Sequence, residues 1–145
     1  MKPSISEILE HCSKLSSTKE RVAFLQQQQS DTLCGILKYA LDPRVEWLLP
    51  RGVPPYKPNE HLDQHGNLYH NIRKINMFVR GGTYPDMHTI KREALFIQFI
   101  EGIDPKDAKL LCSIKDKKLP YKGITVSLVN SAFPGLIQEK EKSVK

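Results

Sequence analysis

An all-α fold of about seven helices, closed into one compact domain, is the architecture this chain predicts. Helix-start signals recur along its length, apolar residues repeat at spacings of three and four, and no two alternating runs stand ready to pair as strands. At 145 residues, 39% apolar and 26% charged, the chain holds enough material for one core, burying roughly two-thirds of its unfolded surface.

The first helix opens on a capping box, Ser4-Ile5-Ser6-Glu7: the serine hydroxyl accepts from the N3 amide and the glutamate reaches back to the cap. Ile5, Ile8, Leu9, Cys12 and Leu15 then share one face. Ser17-Thr18-Lys19-Glu20 is a second box, with Val22 and Leu25 inward. A third helix starts near Ser30-Asp31 and carries Leu33, Ile36, Leu37, Ala40 and Leu41. It ends at Asp42-Pro43, because a residue before proline avoids the helical region. Val45 to Leu49 form a short apolar turn that docks the following loop. Residues 50–66 read as irregular chain, since Pro50, Pro54, Pro55 and Pro58 cannot occupy a helix interior.

A fourth helix is expected over 67–79, with Leu68, Ile72, Ile75 and Val79 inward and Gly81-Gly82 stopping it. Asp86 is the expected cap of a fifth, 87–101, burying Ile90, Ala94, Leu95, Ile97 and Ile100. Asp104-Pro105-Lys106-Asp107 supplies a capping aspartate, a proline at N1 and a carboxylate at N3. Ala108, Leu110, Leu111 and Ile114 follow. Gly123-Ile124-Thr125 leads into a last helix of about 125–133, ended by Pro134-Gly135. The domain is therefore expected over 1–138, with the proline-rich loop inside it and a charged tail over 139–145.

Several classes fall away. No apolar run approaches the roughly 18 residues of a membrane span, and nothing apolar follows Met1-Lys2-Pro3-Ser4 to form a signal peptide. A soluble cytoplasmic protein with no membrane partner is expected. Cys12, Cys34 and Cys112 are an odd, scattered set that makes neither a disulfide framework nor a zinc motif. His61, His65 and His70 read as loop histidines. The chain holds no Gly-x-x-x-x-Gly-Lys-Ser/Thr loop, no Gly-x-Ser-x-Gly elbow and no His-Glu-x-x-His. Asp104 and Asp107 serve better as helix caps than as an acid/base pair. No enzyme, cofactor or metal is expected.

The net charge of +6 is unevenly placed. Residues 1–71 balance eight basic with eight acidic side chains, whereas 72–92 hold five basic against one acidic and 104–145 nine against five. A basic half on a neutral scaffold suits a polyanion; a solubilising lysine surface is the plainer account. The segment Lys115-Asp116-Lys117-Lys118-Leu119-Pro120-Tyr121-Lys122-Gly123-Ile124-Thr125-Val126-Ser127 concentrates the charge. Four lysines crowd a loop that delivers a glycine and a capping threonine to a helix start, where backbone amides suit a phosphate. A lysine-rich turn before an ordinary cap would look the same.

That segment, with Leu128-Val129-Asn130 and then Phe133-Pro134-Gly135-Leu136-Ile137, resembles the end of the N-terminal α-helical DNA-binding domain of ATP-dependent DNA ligases, those of T-even-like tailed phages above all. Leu15-Ser16-Ser17-Thr18-Lys19 resembles the start of the second helix in those ligases. Leu37-Lys38-Tyr39-Ala40-Leu41-Asp42-Pro43-Arg44 is similar to the end of the third, and Asp104 to Leu111 to the helix before the glycine motif. The likeness covers about residues 15–138. It implies a domain that grips duplex DNA from the minor-groove side, with Gly123, Thr125 and Ser127 at the phosphate-contacting helix start. Lys118 stands where those ligases have an arginine, which keeps the charge without the bidentate fork. Leu119-Pro120 replaces their Asp-Leu pair, which changes the loop. Their adenylation motif, Lys-x-Asp-Gly, is absent, so ligation is excluded. The chain is then expected to be either a stand-alone protein that keeps only the DNA-gripping domain or a fragment of something larger, and Met1 and the charged tail favour the first.

Two functions follow as expectations. The first is a non-catalytic protein that binds double-stranded DNA, phage-encoded and acting in replication, repair or processing in the cytoplasm of a bacterial host. Lys115, Lys117, Lys118, Lys122, Gly123, Thr125 and Ser127 would contact phosphates, with Arg73, Lys74, Arg80, Lys91 and Arg92 as a second patch. The second is an adaptor that uses the same scaffold to bind a sliding clamp, a polymerase or a virion component, supported by the proline-rich loop and by Tyr56 and Tyr69 if they are exposed. Packing of Trp47 and these tyrosines into the core is the alternative.

Overall fold

In a computed structural model, residues 4–57 and 67–137 are described, and they form one all-α domain. The helices are α1 (Ile5–Lys14), α2 (Thr18–Gln27), α3 (Asp31–Leu41), α4 (Asn67–Asn71), α5 (Thr89–Glu101), α6 (Pro105–Lys115) and α7 (Val126–Ala132), with a 3-10 segment at Ile72–Phe78. The 58–66 half of the proline-rich loop, with His61 and His65, and the tail from Gln138 onward lie outside the described residues, while His70, expected in a loop, belongs to α4.

Local chemistry explains the helix starts. The Ser4 hydroxyl accepts from Glu7 N–H while the Glu7 carboxylate takes the Ser4 N–H, closing the capping box. Ser17 and Ser30 cap α2 and α3 through Glu20 and Leu33 N–H. At α6, Asp104 accepts from Lys106 N–H with Pro105 in the first turn. Each such bond satisfies one of the orphan amides of a helix start.

α6 is the hub: it packs on α1, α3 and α5, while α2 packs on α1 and α7. Ala108, Leu110, Leu111, Cys112 and Ile114 are buried along it. Asp107, fully buried in its first turn, accepts the Ser6 N–H at 2.9 Å and ties α1 to α6. Phe78 and Phe96 meet edge to face, 5.3 Å between centroids, and join the 3-10 segment to α5. Among the described residues a single antiparallel bridge, Trp47 to Val79, joins the chain after α3 to the end of the 3-10 segment.

The structure corrects three expectations. The helix expected over 67–79 turns 3-10 at Ile72, so that Ile72, Ile75 and Phe78, three apart, eclipse one another on the inner side. The cap of α5 is His88, whose Nδ1 accepts the Ile90 N–H at 3.1 Å; Asp86 lies before it in the loop. The inner stripe of α5 is Arg92, Phe96 and Ile100, whereas Ile90 is 72% exposed and Ala94 faces outward. A buried arginine broke the apolar pattern and shifted the phase of the helix.

The first half of the proline-rich loop is fastened down. Pro54 is buried, Gly52 N–H donates to Asp116 Oδ2 at 3.0 Å, and Lys57 N–H donates to Glu101 Oε2 at 2.8 Å. Tyr56 and Tyr69 are half-buried against the core, and burial raises both their hydroxyl pKa values. Trp47 packs there too, its Nε1–H donating to the Tyr39 carbonyl at 3.2 Å.

Candidate nucleic-acid interface

The loop between α6 and α7 opens with a Schellman turn: Lys117 N–H donates to Ile114 O at 2.8 Å and Lys118 N–H to Ser113 O at 3.0 Å. Lys117 occupies the left-handed position at φ 62°, where glycine is usual. The turn sends successive lysines in different directions, and that sorting decides which of them can meet a ligand.

Lys115 goes inward. Its side chain is 2% exposed and its ammonium donates to Pro50 O at 2.7 Å, Gly52 O at 2.8 Å and Asp116 Oδ1 at 3.0 Å. It is a scaffold cation and leaves the list of phosphate contacts, because all three of its N–H bonds are spent within the fold. Lys117 also turns back: its ammonium donates to Asp42 O at 2.8 Å and Tyr39 O at 3.1 Å, closing the end of α3. Burial lowers its pKa, with the Asp42 charge opposing. It too is engaged. Lys117, Lys118 and Lys122 are all exposed, and what separates them is that Lys117 alone is tied to backbone carbonyls.

The role of Lys117 can be separated from its strain. Lys117→Met keeps the left-handed backbone and loses both carbonyl bonds, so urea unfolding should show a loss of about 1 kcal/mol. Lys117→Gly loses the same bonds but relaxes the backbone by about 1 kcal/mol, and should unfold close to the wild type. Equal losses in the two variants would mean that the backbone is unstrained.

At the far end of the loop, Gly123 adopts φ 83°. A Cβ there would lie within 2.7 Å of Arg21 Cζ, so the absence of a side chain admits the guanidinium of α2. Arg21 donates to Ser13 O at 3.3 Å, while its buried Nε has no hydrogen-bond partner. No local motif marks Arg21; only its arrival across 102 residues of chain makes it part of this loop. Thr125 caps α7, its hydroxyl accepting the Leu128 N–H at 3.2 Å, and Ser127 is exposed. The asparagine and the Phe-Pro-Gly-Leu-Ile run work together structurally. Asn130 donates to Ile137 O at 3.0 Å and accepts Ile137 N–H at 2.9 Å, folding the run back on α7.

The second expected patch divides in the same way. Arg92 is 3% exposed and donates to the carbonyls of Met77, Tyr84 and Met87, so it braces the 77–87 loop from beneath and is removed from the surface. Arg80 is exposed and pairs with Glu46 at 2.9 Å. Arg73, Lys74 and Lys91 are exposed. Among the described residues no group of three or more His, Cys, Asp or Glu side chains could hold a metal, and no helix is long and apolar enough to cross a membrane.

With this geometry in view, residues 8–121 match the family of unknown function DUF6433. The chain belongs to that family. No curated protein matches it. The DUF6433 match spans α1 through the lysine-bearing turn and stops before Gly123. Both buried cations, Lys115 and Arg92, therefore fall inside the matched DUF6433 residues, and the α7 clasp falls beyond them.

Proposed function

We propose that this protein binds double-stranded DNA through backbone phosphates, without catalysis, and that the α6–α7 loop is the contact. The observation that carries the reading is the sorting of the loop's cations. Once Lys115 and Lys117 are committed to the fold, Lys118 and Lys122 still project into solvent, and Arg21 is brought against Gly123 beside them. A phosphodiester meets charge there without the loop having to rearrange. The likeness of 123–137 to the DNA-gripping domain of phage-type ATP-dependent ligases supports the same ligand. An origin in a phage and a role in replication, repair or processing are part of this proposal. Arg73, Lys74 and Lys91 extend the positive surface as a second patch.

The adaptor reading, with a clamp, polymerase or virion protein as partner, loses the support drawn from the aromatic residues. Tyr56, Tyr69 and Trp47 all pack against the core.

Phosphate gripping gives weak sequence preference and steep salt dependence. Fluorescence anisotropy on a labelled duplex tests it. Lys118→Glu combined with Lys122→Glu should weaken binding by at least about tenfold and flatten the salt slope by about one unit per lysine. Far-UV circular dichroism should stay unchanged. Binding retained in that variant rejects the loop as the contact, and no binding by the wild type at low salt turns the scaffold over to a protein partner.

A further inference from the structure

Two hollows lie along one face of α5. The first, of about 270 Å³, opens between the 3-10 segment and α5, with Phe78, Phe99, Leu95 and Met77 as apolar walls and Gln98 and Lys74 among its polar lining. The Phe78 and Phe99 rings stand 6.1 Å apart at 59°. The Gln98 and Lys74 side chains are exposed, and no carboxylate lines the hollow. Its volume falls just below the roughly 300–1,000 Å³ of pockets for drug-sized ligands, which suits one flat ring system.

The second hollow is open and lies at the start of α5, lined by Tyr84, Met87, His88 and Lys91, with Asp86 its single acid. Tyr84 is 63% exposed at φ 56°, a conformation that a bulky residue keeps only where its surroundings over-determine it. Here Arg92 supplies them, holding Tyr84 O at 3.2 Å and Met87 O at 3.1 Å from below. A buried cation is thus committed to presenting an aromatic ring to solvent. Lys91, Leu95 and Gln98, at i, i+4 and i+7, align the two hollows over about 10 Å of helix axis, a run of about three stacked nucleotides.

On this face Tyr84 is exposed, whereas Phe99 is half-buried and Phe78 fully buried; an exposed ring beside cations takes up an unstacked base, and a glutamine amide offers both donor and acceptor to a base edge. We propose that this face of α5 binds the unpaired bases of a nucleic-acid strand. Tyr84 stacks one base, the Phe99 hollow receives another, and Lys91 and Lys74 meet the phosphates. Arg92 acts as a positioning residue for Tyr84. The inference rests on the nucleic-acid reading and shares Lys74 and Lys91 with its second patch, but it uses no residue of the α6–α7 loop.

The test uses the full chain, a labelled oligo-dT 12-mer, a fully paired duplex of equal length and free dTMP as competitor. Tyr84→Ala should weaken oligo-dT binding by at least about fivefold, and Tyr84→Phe should restore it. Gln98→Trp, at an exposed position, should weaken it similarly by filling the mouth of the hollow. Neither should move duplex affinity by more than about twofold, whereas charge reversal at Lys118 and Lys122 should do so. Unchanged oligo-dT binding in Tyr84→Ala and Gln98→Trp overturns the proposal. So does a wild type that binds duplex alone, or dTMP competing as well as the oligomer, which would assign the face to free nucleotides. Strand binding without duplex binding leaves this proposal standing and removes the loop reading.

Discussion

Lys115→Met should lose about 3–5 kcal/mol of folding stability, the range for removing one partner of a buried ion pair. Methionine fills the space of the lysine stem but leaves Pro50 O and Gly52 O facing apolar chain and Asp116 without its cation. Burial pushes the Asp116 carboxyl up, yet hydrogen bonds from Lys115 and Gly52 outweigh it and hold the pKa below the ordinary value. A depressed carboxylate contributes stability above its unfolded pKa, and the contribution disappears as pH falls through the folded one. The penalty of Lys115→Met should therefore be largest at neutral pH and shrink below about pH 4, where Asp116 no longer needs a counter-charge. Urea unfolding at pH 7 and in acid reads both. A penalty under about 1 kcal/mol at neutral pH, or one that grows in acid, would rule out the buried pair as its source. Folded Lys115→Met should bind duplex DNA as the wild type does.

Arg92→Met should cost less, about 2 kcal/mol, although it breaks as many bonds. The Met77, Tyr84 and Met87 carbonyls lose their donor, and orphaned acceptors are costly. Against that, Arg92 has no carboxylate partner among its hydrogen bonds, so the substitution also removes the expense of burying a charge. The two terms partly cancel. The damage should be local: amide exchange should accelerate over 77–88 while α6 keeps its protection. Uniform acceleration over the whole domain would mean that Arg92 supports the core at large and not one loop.

Much of the fold was legible because its signals are local. Ser4, Ser17, Ser30 and Asp104 each act within three residues of themselves, and each caps the helix expected of it. The end of α3 at Asp42-Pro43 was legible for the same reason. The candidate site was legible only in outline. Which lysine is a tool and which is a strut depends on carbonyls at Tyr39, Pro50 and Gly52, more than 60 residues away in sequence. Composition counts Lys115 and Lys118 alike. Arg92 misled twice for the same reason, shifting the phase of α5 and counting as a surface cation. Arg21 stayed hidden because its partner, Gly123, contributes no side chain to advertise the contact.

The lysine clamp on the 50s loop also has a temporal side. Its bonds join residues 65 and 63 apart in sequence, so the chain entropy of closing that segment falls due before the clamp gives anything back. We expect this clamp to close after the rate-limiting step, so that stopped-flow kinetics of Lys115→Met should show faster unfolding with little change in the refolding rate. Lys115 is then a latch on the lifetime of the native state: it governs how long the domain stays shut once folded, more than how quickly it gets there.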